Sequence, residues 1–430
     1  MSTHRTRMIL VVGLAVSAAA CTVNPVTGSR QLDLMGEPQE VQLGATLYPQ
    51  YTAQSYGEVQ DAELQAFVER VGDRLASVGH RPQLPWTFNA VNDPSVNAYA
   101  LPGGKVSITR GLLARMGSED ELAAVLGHET GHVTARHAAQ QYTRQVLSQL
   151  ALVGAAVYME VEDVDNRGLY MVGGMVGAQL ALAHYSREQE RQSDFLGFEY
   201  MSQLGYNPEG MVDLMATLGS TRQREPSFVE QMFASHPLTS ERIETAKQQV
   251  ANAPPELTSR PLTTAEYSAA TGLVRRQREA YDRVVEARAM MSKESFDAAR
   301  RLLQQSADEW RDDGLLRIFL ATALARQDRM DLAAREAYQA IEDAPGIFMV
   351  QATAARIFLA DEQWQAALDA LDRADGILPG MPDVRFSRGR ALEEMGRYRE
   401  AADAYLWVAQ NAPDSDVGRA AAERYRRLAG

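Results

Sequence analysis

The chain has 430 residues, 45% of them hydrophobic and 23% charged, a length for two or three domains and a balance that excludes a polytopic membrane protein and a disordered chain. Its net charge of −13 leaves no basic footprint for nucleic acid. A single cysteine, Cys21, excludes an internal disulfide and a cysteine metal site, so any metal must come from the carboxylates and seven histidines.

The N-terminus has the pattern of a cleaved export signal over 1–20. His4, Arg5 and Arg7 form a basic region, and the apolar run 8–20 is too short for a bilayer span of about 20 residues. Ser17-Ala18-Ala19-Ala20 before Cys21 resembles a bacterial lipobox, although Ala18 stands where Leu is commonest. The resemblance implies that Cys21 is lipidated and becomes the first mature residue. Thr22 follows instead of Asp, which by resemblance to Gram-negative lipoproteins favours the outer membrane and a periplasm-facing protein. Lipid chains there would supply the anchor to the membrane.

Residues 22–36 carry Asn, Pro, Thr and Gly and are expected to be irregular. Helices are predicted over 38–47 and 58–78, the second with Leu64, Phe67, Val68, Val71 and Leu75 on one face. Residues 86–91 alternate like a strand. Asn97 to Thr109 reads as two short strands around Pro102-Gly103-Gly104. Ser118 is a good N-cap, and Glu121 completes a capping box for the helix that follows. The apolar runs 146–159 and 168–183, parted by an acidic stretch, each fall short of a membrane span. They are read either as buried helices or as a flap over the site.

The C-terminal part repeats. Phe296, Met330, Trp364 and Tyr398 are spaced by 34 residues, as are Ala299, Ala333, Ala367 and Ala401. Pro345, Pro379 and Pro413 keep the same period, with Arg311 at the degenerate first position. This resembles the tetratricopeptide repeat: two helices, a small residue at their crossing and a closing Pro. About four repeats are expected over 277–413, with 416–428 as a capping helix.

His128-Glu129-Thr130-Gly131-His132 is an HExxH motif. On a helix, positions i and i+4 share a face, so both imidazoles can reach one Zn²⁺. Glu129 lies beside the metal, placed to take a proton from water and pass it to the leaving amine. Gly131 inside the helix costs about 1 kcal/mol against Ala, which a close approach of backbone or substrate would explain. A catalytic zinc needs a third protein ligand and an open position. Ala135 and Ala138 stand where a metzincin has Gly and His, so that class is excluded. The candidate is Glu190, with Asp194 one turn on to accept a hydrogen bond from a ligating imidazole. Glu188 points elsewhere. His137, five residues after His132, falls about 140° round a continuous helix and is expected to face away from the metal. His80 and His184 are expected off the site.

These residues, with Asn97-Ala-Tyr-Ala-Leu-Pro-Gly-Gly104 before them and Ser235-His236-Pro237 after, resemble the HtpX/BepA family of gluzincin metallopeptidases. The lead segment resembles its lipoprotein members, and the repeats point to the BepA type. The resemblance spans essentially the whole chain. One departure is that membrane-embedded relatives have transmembrane helices around the catalytic helix, where this chain has only short apolar runs. The resemblance implies one zinc per chain held by His128, His132 and Glu190, with Glu129 as general base and acid and Asp194 behind the ligands. It implies that Asn97 and Ala98 belong to an edge strand that pairs with substrate backbone. His236 is read as catalytic, stabilising the oxyanion, or as a fourth ligand that holds the enzyme latent, or as a structural loop residue. Arg242 is placed to assist it.

The expected fold is mainly α: a zincin-like metalloprotease domain over 21–270, helices with a small sheet or hairpin, followed by an α-solenoid of tetratricopeptide repeats over 271–430. The expected function is a zinc endopeptidase acting on protein substrates in outer-membrane quality control. A protein partner, such as outer-membrane assembly machinery, would dock on the repeats. The alternative is a repeat-based chaperone or assembly scaffold with a latent protease site. Residues 271–430 carry 24 basic and 27 acidic side chains, so most of the negative charge falls in the first 270.

Overall fold

The computed structural model describes residues 21–158, 185–224 and 226–429. The export signal (1–20), the last residue of the first apolar run, the acidic stretch, the whole second apolar run (168–183), read as a buried helix or flap, and His184 lie outside them. The architecture is mainly α, a helical zincin-like unit with small sheets and a solenoid of helix pairs. The chain divides into two compact units. One holds the described residues up to Tyr48 with Gln60–Ala90 and Ser95–Gly272; the other holds Pro49–Val59, Val91–Pro94 and the described residues from Leu273 on. No described helix is long and apolar enough to cross a membrane.

The lead segment is not irregular. Strands β1 (Cys21–Val23) and β2 (Arg30–Leu32) pair antiparallel, Thr22 opposite Gln31. The turn between them is built by Asn24, whose side-chain oxygen accepts from Val26 N and Thr27 N, and by Gly28 at φ +67. An Asx turn of this kind is local chemistry that composition alone does not separate from loop.

Helix Glu37–Gln54 runs further than the predicted 38–47 and carries Pro49 inside it. Helix Ala62–Val78 starts four residues later than predicted because Asp61 caps it, accepting from Glu63 N and Leu64 N. Its apolar stripe, Leu64, Phe67, Val68, Val71 and Leu75, is buried. Strands β3 (Thr87–Val91), β4 (Ala98–Leu101) and β5 (Lys105–Thr109) form a sheet in the order β3-β5-β4. The β4–β5 hairpin turns at Gly103 and Gly104, both at positive φ, and a Cβ on Gly103 would sit 2.6 Å from Val41 Cα. β4 is thus an outer strand.

Helix Glu119–Thr134 is buried along its whole length. Ser118 Oγ accepts from Glu121 N, but Glu121 Oε1 accepts from Gly117 N at 2.7 Å, one residue before the position a capping box uses. The complete box lies elsewhere, at helix Arg187–Gln203, where Ser186 and Gln189 cap each other's backbone. Asp120 ties the helix start to later loops, accepting from Asn207 N and Thr263 N at 2.7 Å each.

In the other unit, the helix pairs are Arg278–Met291 with Phe296–Glu309, Gly314–Ala325 with Met330–Asp343, Phe348–Ala360 with Trp364–Ile377, and Pro382–Glu394 with Tyr398–Asn411. Phe296, Met330, Trp364 and Tyr398 each open the second helix of a pair, and the four repeat alanines are fully buried. Asp416–Ala429 keeps the register of a fifth first helix. Within each pair the turn passes through a left-handed residue, Glu294, Asp328, Glu362 and Gly396, again 34 apart. Only the last is glycine, so this part of the repeat is not visible as a glycine pattern.

Candidate metal centre

Two helices cross at the site, and glycine permits it. A Cβ on Gly131 would lie 3.1 Å from Ser193 Cα, and one on Gly197 would lie 2.8 Å from His128 N. The close approach that Gly131 suggested is therefore to backbone. It brings Glu190 and Asp194, one turn apart on helix Arg187–Gln203, against His128 and His132 on helix Glu119–Thr134.

His128, His132, Glu190 and His236 are all buried, and each offers a ligand atom within 4.8 Å of the others. His128 Nε2 lies 3.0 Å from His132 Nε2 and 3.3 Å from His236 Nδ1. Glu190 Oε1 is 3.4 Å from His132 Nε2 and 3.0 Å from His236 Nδ1, and its Oε2 is 3.6 Å from His128 Nε2. Two ligands at zinc–nitrogen distance from a tetrahedral ion lie about 3.4 Å apart. The donor set, three imidazoles and a carboxylate at such separations, fits zinc or a similar transition metal. Glu129 is beside it, fully buried, with neither carboxylate oxygen hydrogen-bonded among the described residues. A carboxylate left so is unusual and marks a site that expects a further group.

Asp194 accepts from His128 Nδ1 at 2.9 Å, which leaves Nε2 facing the cluster. Arg242 forks onto Asp194, Nε to Oδ2 at 2.6 Å and Nη2 to Oδ1 at 2.7 Å, and its Nη1 lies 2.7 Å from Glu190 Oε2. Burial alone would raise the Glu190 carboxyl, but His236, His132 and His128 outweigh it and hold the group well below the usual carboxylate range. Burial also works against ionised Asp194, and Arg242 and His128 pull it down. His132 is pushed well below its ordinary value by burial. His236 goes the other way: burial lowers it, and the facing Glu129 and Glu190 carboxylates raise it on balance.

His137 does not face away. The helix ends at Thr134, and Arg136 takes φ +60, so His137 opens a new helix, His137–Tyr158, and is turned back toward the site. Its Nδ1 lies 3.0 Å from His132 Nδ1, and its Nε2 donates to Gln192 Oε1 at 3.0 Å. Burial lowers it to about 4. Tyr185 was also outside the sequence expectations; its ring centroid is 3.8 Å from that of His132. No spacing signal marks it. His80 instead bonds Tyr200 Oη, at 2.7 Å.

Arg136 holds the lead hairpin to the end of the HExxH helix. Its buried guanidinium donates to Thr22 Oγ1 (3.0 Å), Glu40 Oε1 (3.1 Å) and Met35 O (2.6 Å), and pairs with Asp33 at 3.1 Å. Arg81 donates to Val133 O at 3.0 Å and to Glu40. Cys21 stands at the start of this hairpin, next to Thr22.

Asn97 is buried just ahead of β4, where its O accepts from Thr109 N and its N donates to Thr109 Oγ1; Ala98 opens that strand and is fully buried. Ala100 and Leu101 further along β4 line a small cavity with His132 and Tyr185. The outer strand thus runs beside the cluster.

Residues 62–250 match the model of peptidase family M48. Over 291 residues the chain is 26% identical to the beta-barrel assembly-enhancing protease of Escherichia coli, covering 62% of this chain and 59% of that protein. The protein of the same name from Yersinia pestis is 27% identical over 224 residues, 51% of this chain and 46% of that one. Mitochondrial metalloendopeptidase OMA1 of Schizosaccharomyces pombe is 33% identical over 180 residues, 41% of this chain and 50% of that one. The chain spans about half the length of these relatives.

Proposed function

Because residues 62–250 form a peptidase family M48 domain, we propose that this chain is a zinc-dependent endopeptidase acting on protein substrates. His128, His132 and Glu190 would hold the metal. Bound zinc supplies a Lewis acid that activates water and polarises a peptide carbonyl. Glu129 takes a proton and returns it to the leaving amine, a task suited to a buried carboxylate with no competing hydrogen bond. Asp194 and His137 orient the two ligating imidazoles. An extended substrate pairs along the outer edge of β4, in the segment that Asn97 and Ala98 open. The observation that carries this reading is the four-residue donor set with Glu129 beside it, buried, without a hydrogen bond and 3.8 Å from His236 Nε2.

The cellular reading is that the mature chain is lipidated at Cys21, held at the outer membrane of a Gram-negative bacterium and faces the periplasm. It would act there in the assembly and quality control of outer-membrane proteins; two of its relatives are named beta-barrel assembly-enhancing protease, which supports the assembly part. The repeat unit would dock a protein client or part of the assembly machinery.

The test is Glu129→Gln. The variant should keep one zinc per chain and lose cleavage of casein and of its own chain. Cleavage that persists at the wild-type rate would overturn the assignment. A second reading, a repeat-based chaperone or scaffold with a latent site, is favoured by His236, whose Nδ1 sits among the ligands. If Glu129→Gln restores every defect of a deletion strain, that reading prevails. Labelling with palmitate that fails in wild type, or persists in Cys21→Ala, would remove the anchor.

A further inference from the structure

One register of the 34-residue period carries arginine on the outside of the repeat unit. Arg288, Thr322, Arg356, Arg390 and Arg424 hold the same place on the first helix of each pair and on the capping helix. These helices touch one another in turn, so equivalent positions line up as a row across one face. A different register, Arg283, Arg317 and Arg385, is used inside the solenoid, on Glu309, on Glu336 and Asp343, and on Asp375 of the second helices. Five residues on, about 140° round the helix, Arg288, Arg356 and Arg390 are exposed. Both ends of the row are occupied. Arg288 lies over the Tyr56 ring, 5.7 Å from its centroid, and that ring packs edge-on against Phe319 at 5.2 Å. Asp93 is near enough for its charge to act on the same phenol. At the other end Arg424 pairs with Glu393 at 2.6 Å. Between them, among the described residues, Arg356 donates only to Thr353 Oγ1 on its own helix, at 3.0 Å, and Arg390 has no ion pair, not even with Glu394 one turn on.

We propose that Arg356 and Arg390 dock an extended acidic segment of a protein partner, one that carries two carboxylates three residues apart. The inference rests on the reading that the repeat unit docks a protein, and adds the chemistry of that partner. A guanidinium keeps its charge at any working pH, and its planar fork matches a carboxylate. Helices in contact lie about 8–10 Å apart, which sets the separation of the two arginines' helices. A polyproline-II chain has three residues per turn and rises about 3.1 Å per residue, so side chains i and i+3 point the same way about 9 Å apart. Such a chain lays one carboxylate on each helix. A polypeptide is favoured over a lipid headgroup because the same row already seats one: the chain's own Tyr56 turn lies under Arg288.

The experiment measures fluorescence anisotropy of labelled peptides on the full chain carrying Glu129→Gln, so that nothing is cut. The probe is four Asp-Pro-Ser units, and the control is four Asn-Pro-Ser units. The Asp peptide should bind about 10-fold more tightly than the Asn peptide, and salt should weaken it. Arg356→Gln and Arg390→Gln should each cost it about 3–5-fold. Arg388→Gln, which removes the same charge from the same helix but from a pair with Asp372, should leave it unchanged. All three positions lie on the surface side of their helices, and an unaltered thermal midpoint checks that the variants fold. Equal binding of the Asp and Asn peptides would overturn the inference and leave docking on the repeats standing. Binding of neither would count against both. Equal losses in all three variants would show that net charge, not this row, holds the peptide. Equal affinity for a peptide with its four Asp contiguous would overturn the three-residue spacing. Binding of phosphatidylglycerol vesicles through Arg356 and Arg390, without binding of the Asp peptide, would make the row a lipid contact and overturn the proposal.

Discussion

The Nδ1 atoms of His132 and His137 lie 3.0 Å apart, although the two residues are five apart in sequence. A continuous helix would place them on different faces. The left-handed Arg136 ends one helix and lets His137 start another, folded back on the first. One nitrogen of such a pair must donate and the other accept. With His137 Nε2–H on Gln192, its Nδ1 is the acceptor, and His132 Nδ1–H donates with Nε2 left to the metal.

That chain predicts the effect of His137→Phe. The ring volume stays and the acceptor goes, so zinc affinity should fall by about 10–100-fold with the fold retained. Competition with a chromophoric chelator measures it. Affinity equal to wild type would show that His137 only fills space.

His236 predicts the opposite sign. Its Nδ1 lies 3.3 Å from His128 Nε2 and 3.0 Å from Glu190 Oε1, where it can occupy the position a substrate needs. His236→Ala should therefore raise casein cleavage and self-cleavage. Unchanged or lower rates would mean that the imidazole serves the reaction or the fold.

Arg136→Ala removes the charge that Asp33 and Glu40 share inside the protein. Breaking one partner of a buried ion network costs about 3–5 kcal/mol. A denaturant titration should show a loss of that order, and protease should cut the 21–33 hairpin faster. Arg136→Lys should recover only part, because an ammonium cannot serve Thr22, Asp33, Glu40 and Met35 O together.

Glu393 gives a pH dependence in the repeat unit. Burial raises its carboxyl, but Tyr405, Arg424 and Arg427 outweigh this and lower it. A carboxyl lowered in the folded state adds stability above its unfolded pKa and loses it as pH falls through the folded value. The advantage of wild type over Glu393→Gln, read as hydrogen-exchange protection of helices Pro382–Glu394 and Asp416–Ala429, should be full at pH 7. It should fade as pH drops below the ordinary carboxylate range. An advantage that persists unchanged in acid would show that the carboxylate's charge is not its source.

What the sequence determined by itself is whatever one helix can express. His128 and His132, and separately Glu190 and Asp194, share faces because 3.6 residues make a turn. The 34-residue period exposes the repeat because every helix pair solves the same packing problem, visible in the buried alanines from Ala299 to Ala401. The tertiary structure alone decided which faces meet. Gly131 and Gly197 let two helices approach until the donor atoms converge; His236 reaches the cluster from 46 residues beyond Glu190, Arg242 from 48 beyond Asp194, and the Tyr185 ring lies against that of His132. The fold of residues 21–33 and the turn at Arg136 are likewise settled by buried hydrogen bonds to distant partners. Spacing carries local periodicity, whereas convergence depends on long-range packing, and that is why the shared face of His128 and His132 was legible and the ring behind it, His137, was not.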